Sequence, residues 1–351
     1  MSPLSITGFS AITAAELVDV SGLYAEPLPS AHAHARTAFV AREHLGRKGT
    51  SSYDRATGLA VVCCQDAVRA AGLQLDATTG RRTGVALGTS LGSFKSTSDY
   101  TLETLVQERP YLVNPLLFPN TVMNGAAGQV GIRLGLRGIN ATIAGGTLGF
   151  LNALRYAANA IRRGYADAML AGAVEEFTPH RAWASHLTGA TRAVPSGEAA
   201  AVFTLTVADP PPWTGPRRLA TVLAVATGFG PGGSDAGDLA LAGCVRRVLH
   251  GAKLDPVAVA AVHTGEAEAG ERQEYGPVVA ALGGDVPRML PKRRFGECDA
   301  ASGAVALAAV LAAPPDGLDA ARRGPEGGDV HLFTARGPDG AVGAALIEVY
   351  R

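Results

Sequence analysis

The chain has 351 residues, of which 47% are apolar and 18% charged, and its 31 Lys+Arg balance its 31 Asp+Glu. That balance excludes a disordered chain, and it leaves no broad basic surface for nucleic acid or an anionic membrane. No apolar run reaches bilayer length, and the opening MSPLSITGFSAIT lacks a basic lead before a long apolar core, so neither a membrane span nor a signal peptide is expected.

The predicted elements alternate. ITGFSAIT opens as a strand, and GLAVVCCQDAVRAAGL is a helix carrying Cys63 and Cys64 on an apolar pattern. TGVALGTS (83–90) is a strand entering a Gly-rich turn, followed by a helical stretch over 94–105. NATIAGG (140–146) is a strand. LGFLNALRYAANAIRRG (148–164) is a helix with two arginines in its last turn and Gly164 at its stop, and ADAMLAGAVEE (166–176) is a further strand. The prolines of ADPPPWTGPRR (208–218) can continue neither helix nor central strand, so this segment joins residues 1–207 to 219–351. Beyond it the spacing predicts a strand at VAAVHTG (259–265), helices at EYGPVVAALG and SGAVALAAVLAA (302–313), a surface tract at 314–329, and a closing pair of strands at VHLFTA and GAALIEV. Cys63, Cys64, Cys244 and Cys298 have no metal-ligand spacing, which points to a reduced, cytoplasmic protein without metal.

Several of these segments, in this order, resemble the β-ketoacyl synthase family: LGRKGTSSYDRATGLAVVCCQDAVRAAGL (45–73), GVALGTSLGSF, NPLLFPNTVMNGAAGQVGIRLGLRGINATIAGG (114–146) and SGEAAAVFTL (196–205). The resemblance implies an α/β thiolase-like fold, a duplicated five-layer α-β-α-β-α architecture. It also implies a cysteine nucleophile at a helix N-terminus and two histidines in the second half. Thr147 stands at the cysteine position. A threonine hydroxyl is far less acidic than a thiol, and its β-branch crowds an incoming carbonyl, so its expected role is a cap on the helix at 148–164. The first histidine matches His263 within VHTGEAEAGERQE, where Gly270 and Glu274 are kept and Glu271 replaces an aspartate. The second matches Glu297 within KRRFGECDAASG, with Lys292, Gly296 and Gly303 retained. A carboxylate there repels the enolate that the histidine would stabilise. Pro338 occupies the position of a gating Phe in the last Gly-rich turn and has no N–H to donate. Acidic Glu297 and Asp299 flank Cys298 and argue against a relocated nucleophile.

The resemblance then implies a chain length factor, the non-condensing subunit of a type II polyketide synthase, from an aromatic or a reducing, polyene-forming system. Its expected partners are an active ketosynthase and an acyl carrier protein, which carries the phosphopantetheine; the chain itself needs no cofactor. Expected interface residues are Phe118, Asn120, Met123, Asn140, Thr142 and Ile143, and expected tunnel residues are Phe94, Ser98, Leu102 and Leu105. Only LTGATRAVP stands where the family carries a longer active-site loop. Two other readings stay open: an acyltransferase with His263 as base, and a scaffold that docks an acidic carrier protein through Arg162, Arg163, Arg293 and Arg294.

Overall fold

The alternating apolar runs pair edge to edge. A computed structural model describes residues 4–21, 28–36, 38–187, 194–207, 218–231, 234–313 and 323–350. Its strands are β1 (Leu4–Thr13), β2 (Val18–Asp19), β3 (His32–Ala33), β4 (Thr83–Thr89), β5 (Asn140–Ala144), β6 (Ala168–Glu175), β7 (Ala199–Val207), β8 (Ala220–Phe229), β9 (Val259–His263), β10 (Arg288–Met289), β11 (Asp329–Arg336) and β12 (Ala341–Val349). Strands β2 and β3 pair with each other, and the rest form one sheet in the order β10-β9-β11-β12-β8-β1-β7-β6-β4-β5.

That order is a duplication. In β1-β7-β6-β4-β5 the first two pairings are antiparallel and the last two parallel. In β8-β12-β11-β9-β10 the same sequence of pairings recurs. The two sets meet where Leu4, Ser5 and Ile6 pair with Val222, Thr221 and Ala220. Residues 208–217 of the expected join, 314–322 of the expected surface tract and 188–193 of the shortened loop lie outside the described residues.

Five layers follow from which faces are apolar. The helices Gly149–Arg162 and Ser302–Ala312 fill the middle, where Phe150, Leu154 and Leu307 meet Phe203 and Phe333. The helices Arg55–Ala70 and Gly125–Leu134 cover the outer face of one strand set, against Val85, Leu87 and Val202. The helices Ser234–Ala252 and Tyr275–Leu282 cover the other, against Val262, Leu332 and Leu346. Strands buried on both faces lose the in-out alternation, and β4 and β6 accordingly read as unbroken buried runs. Among the described residues no helix is long and apolar enough to cross a membrane.

Strands β2, β3, β8 and β10 and the helices Gly125–Leu134, Pro179–Leu187 and Ser234–Ala252 are absent from the sequence reading above. The other predicted elements are present, with ends within a few residues of those expected.

Candidate active site

The central helix Gly149–Arg162 starts in a gap that side chains would close. A Cβ on Gly88 of β4 would fall 2.4 Å from the Gly149 carbonyl carbon, and one on Gly149 would fall 2.6 Å from the Ala300 Cβ. Chain entry is a tight turn with Gly146 at φ 51°, a conformation glycine adopts without strain. Thr147 sits inside that 3-10 turn, Gly146–Leu148.

The expected cap is not formed. Leu148 is the N-cap residue and the helix has no side-chain cap hydrogen bond. The Thr147 hydroxyl is buried and has no hydrogen-bond partner among the described residues. Placed one residue ahead of the N-cap and within a 3-10 turn, it misses the N–H groups that an N-cap hydroxyl accepts from.

Thr147 shares a cavity of about 30 Å³ with His263, Glu274, Lys292 and Phe333. That is room for a water or two. Glu297 and Pro338 do not line it. Pro338 follows Gly337, whose Cβ, if it had one, would stand 3.4 Å from the Thr147 hydroxyl. Thr147, His263 and Lys292 are thus brought together, while Glu297 and the exposed Pro338 stand outside the lining.

The groups in this centre are committed to one another. His263 Nε2 shares a hydrogen bond with His331 Nδ1 at 3.0 Å, and its ring stacks on Phe333 at 4.5 Å. Burial, followed by the neighbouring His331, pulls the His263 pKa down to about 3. It is a neutral ring with an occupied nitrogen, and a weak base. Lys292 Nζ bonds Glu297 Oε2 at 2.6 Å. Burial lowers the pKa of this ammonium, but Glu297, Glu274 and Asp299 outweigh it and hold the pKa above its ordinary value. Glu297 Oε1 also accepts from the Asp299 amide at 3.0 Å and the Ser302 hydroxyl at 3.3 Å. Glu297 thus ties down Lys292. Cys298 is 1% exposed, and burial pushes its thiol far above the ordinary range, so it is no substitute nucleophile. Cys63, also buried, is pushed up to about 12.

A second polar cluster, not identified from the sequence, backs this centre. Buried Arg181 donates to Asp299 Oδ2 at 2.5 Å, to the Glu176 carbonyl at 2.6 Å and to the Gly197 carbonyl at 3.2 Å, and its Nε lies 3.9 Å from Glu175. Asp299 takes the left-handed φ of 41°, a conformation that costs a non-glycine residue about 1–3 kcal/mol and that the Arg181 pairing holds. Glu175 accepts from both the amide and the hydroxyl of Ser90, at 2.5 Å each. Ser90 leads into the helix Phe94–Val106. A chain of hydrogen bonds and ion pairs thus runs from Lys292 to the base of that helix.

The expected tunnel residues lie on that helix, and the expected interface residues on the segment 118–123 and strand β5. Strand β5 pairs only with β4 and forms an open edge of the sheet. No residue of the helix Phe94–Val106 is buried. Leu102 and Leu105 are 57% and 77% exposed, with Phe118 at 54%, Leu116 at 74% and Ile132 at 76%. Phe94, Ser98, Thr142 and Ile143 are half-buried. Asn120 and Asn140 are anchored instead, donating to the carbonyls of Ser52 and Ala127 at 2.8 and 2.7 Å. Of the arginines considered for docking, Arg163, Arg293 and Arg294 are exposed and Arg162 is half-buried.

Known proteins share this arrangement. The model of the β-ketoacyl synthase N-terminal domain matches residues 6–201. A 3-oxoacyl-[acyl-carrier-protein] synthase 2 from Staphylococcus aureus is 33% identical over 145 residues, which is 41% of this chain and 36% of that protein. The chain thus matches about a third of the length of this curated relative. The structure titled the ishigamide ketosynthase/chain length factor superposes with a TM-score of 0.82 at 32% identity, over 99% of this chain and 100% of that one. A β-ketoacyl synthase from Burkholderia phymatum STM815 gives 0.83 at 20% identity, covering 100% of both, and shares the fold. With the family model running from the first strand to the seventh and the thiolase-like fold shared end to end, the chain belongs to the β-ketoacyl synthase family.

Proposed function

We propose that this chain is a non-condensing subunit, akin to a chain length factor, that pairs with an active ketosynthase in type II polyketide synthesis. The observation that carries the reading is the pairing of a disabled centre with an unpartnered apolar face. Thr147 faces a cavity of about 30 Å³, too small for a thioester and an extender unit, and Glu297 occupies the retained lysine. Strand β5 is an open edge whose Thr142 shares a small cavity with Asn120, Val122 and Met123, and Leu102, Leu105, Leu116 and Phe118 are exposed large apolar side chains of a kind that, gathered in a patch, soluble monomers seldom keep. The similarity to a structure whose title couples a ketosynthase with a chain length factor supports the same reading.

In this reading β5 adds to the partner's equivalent strand, and Phe94, Ser98, Leu102 and Leu105 border the partner's acyl tunnel. The acyl carrier protein brings the phosphopantetheine-bound chain to the partner's cysteine. Co-expression with a ketosynthase that has the full Cys-His-His set should yield a 1:1 complex by light scattering. Ile143→Asp, which places a charge on the edge strand, should weaken that complex at least a hundredfold. Exclusive homodimers of the wild type would overturn the proposal.

The acyltransferase alternative requires a base, and the His263 nitrogen engaged by His331, on a ring with pKa about 3, makes a poor one. Thr147→Cys is therefore expected to gain no stable acyl adduct when incubated with acyl carrier thioester and followed by intact-mass measurement. Stoichiometric acylation of wild-type Thr147 would instead favour the acyltransferase.

A further inference from the structure

A trough of about 970 Å³ has neither Thr147 nor any residue of β5 in its lining. One wall is the far end of β1, with Phe9, Ala11 and Thr13 spaced at every second residue and so turned to one face. The other wall is the helix Ser302–Ala312, which contributes Val305, Ala308, Ala309 and Ala312, one helical face. These side chains are short, so the trough is wide and smooth. Val305 to Ala312 spans about 10 Å at 1.5 Å per residue, roughly the length of eight extended methylenes.

At its rim stand Arg36 and Arg294. Both are exposed, and among the described residues neither guanidinium has a carboxylate within ion-pair distance. Arg294 lies over the Phe295 ring at 5.3 Å, which steadies it beside the apolar wall. Among the described residues of the lining, Glu16 is the one acidic group against Arg36 and Arg294. The volume falls in the range of small-molecule sites, and a guanidinium pair is suited to a carboxylate.

We propose that this trough binds a medium-chain carboxylate, its chain along the alanine wall and its head between Arg36 and Arg294. The site is independent of the pairing proposed above. It draws on neither the β5 edge nor the Thr147 cavity.

The test is a titration of the full chain with [1-¹³C]decanoate below its micelle concentration, read by the carboxyl shift. Saturable binding is expected, weakened about tenfold or more in Arg36→Gln/Arg294→Gln and in Ala312→Trp, with decanol a weaker competitor than decanoate. All three substitutions are at exposed positions, and matching thermal melts would show that the variants fold. Absence of saturation in the wild type, unchanged affinity in the arginine double variant, or equal competition by decanol would each overturn the proposal.

Discussion

Arg181→Met is expected to destabilise the chain by about 3–5 kcal/mol, the cost of breaking a buried ion pair from one side. The side chain of Arg181 is 3% exposed, and those of its partners Glu175 and Asp299 are 1% and 15% exposed. Methionine matches the arginine's length but removes the charge and its donors, leaving two carboxylates in the interior and two carbonyls unmatched. Burial already raises the Glu175 pKa to about 7 against the opposing pull of Arg181, so loss of the arginine drives it higher still. Urea denaturation measures the loss, and a change under about 1 kcal/mol would contradict it. Arg181→Met/Asp299→Asn should recover part of the loss, because the second substitution removes one stranded charge. The cluster also holds Asp299 in its left-handed conformation and Ser90 at the foot of the helix Phe94–Val106. Weaker pairing with a ketosynthase should therefore accompany the lost stability.

This cluster marks where the sequence stopped being legible. Strand β4 and the helix after Thr147 could be read because periodicity and turn residues are local signals. The positions given to Thr147, Glu297 and Pro338 rest on flanking motifs that resemble the family's. Arg181 has no such flank, and its partners lie 6 residues back at Glu175 and 118 ahead at Asp299. Nor does the linear sequence pair His263 with His331, 68 residues apart. A signal did exist there, since the alternation in VHLFTA puts His331 and Phe333 on one face of β11. The cap assigned to Thr147 failed for a different reason. Residue type favours capping, but the Gly-rich entry winds a 3-10 turn that moves the helix start one residue along. Strand β8 and the helix Ser234–Ala252 carry no family motif used above; β8 is held by nonlocal pairing with β12, and the helix packs on the same sheet through Leu241, Val245 and Val248.

Stability is expected to fall as pH rises from about 5 to 8, and Glu176→Gln should remove much of that fall. Glu176 is 2% exposed, and burial, followed by the nearby Asp54 carboxylate, raises its pKa from 4.5 to about 8. A group whose pKa is raised on folding stabilises the native state fully below its unfolded value. Here that contribution is lost as pH climbs from 4.5 through about 8, for on the order of 5 kcal/mol in all. Glu175, raised to about 7, acts in the same direction over a narrower window. His263 acts oppositely at the acid end. With a folded pKa near 3 and an unfolded one of 6.5, its contribution is complete above 6.5 and is lost as pH falls towards 3. The two carboxyls outnumber the one histidine between pH 4.5 and 6.5, so the maximum from these three groups lies near pH 4.5–5. Glutamine keeps an acceptor for the Ala56 amide, which bonds Glu176 Oε2 at 3.2 Å, and cannot ionise. Melting temperatures of wild type and Glu176→Gln should therefore agree within a few degrees at pH 5 and separate increasingly towards pH 8.5, with the variant higher. The acid limb should be unchanged, because His263 is untouched. Parallel profiles across the whole range would show that Glu176 keeps the same ionisation in the folded and unfolded chain.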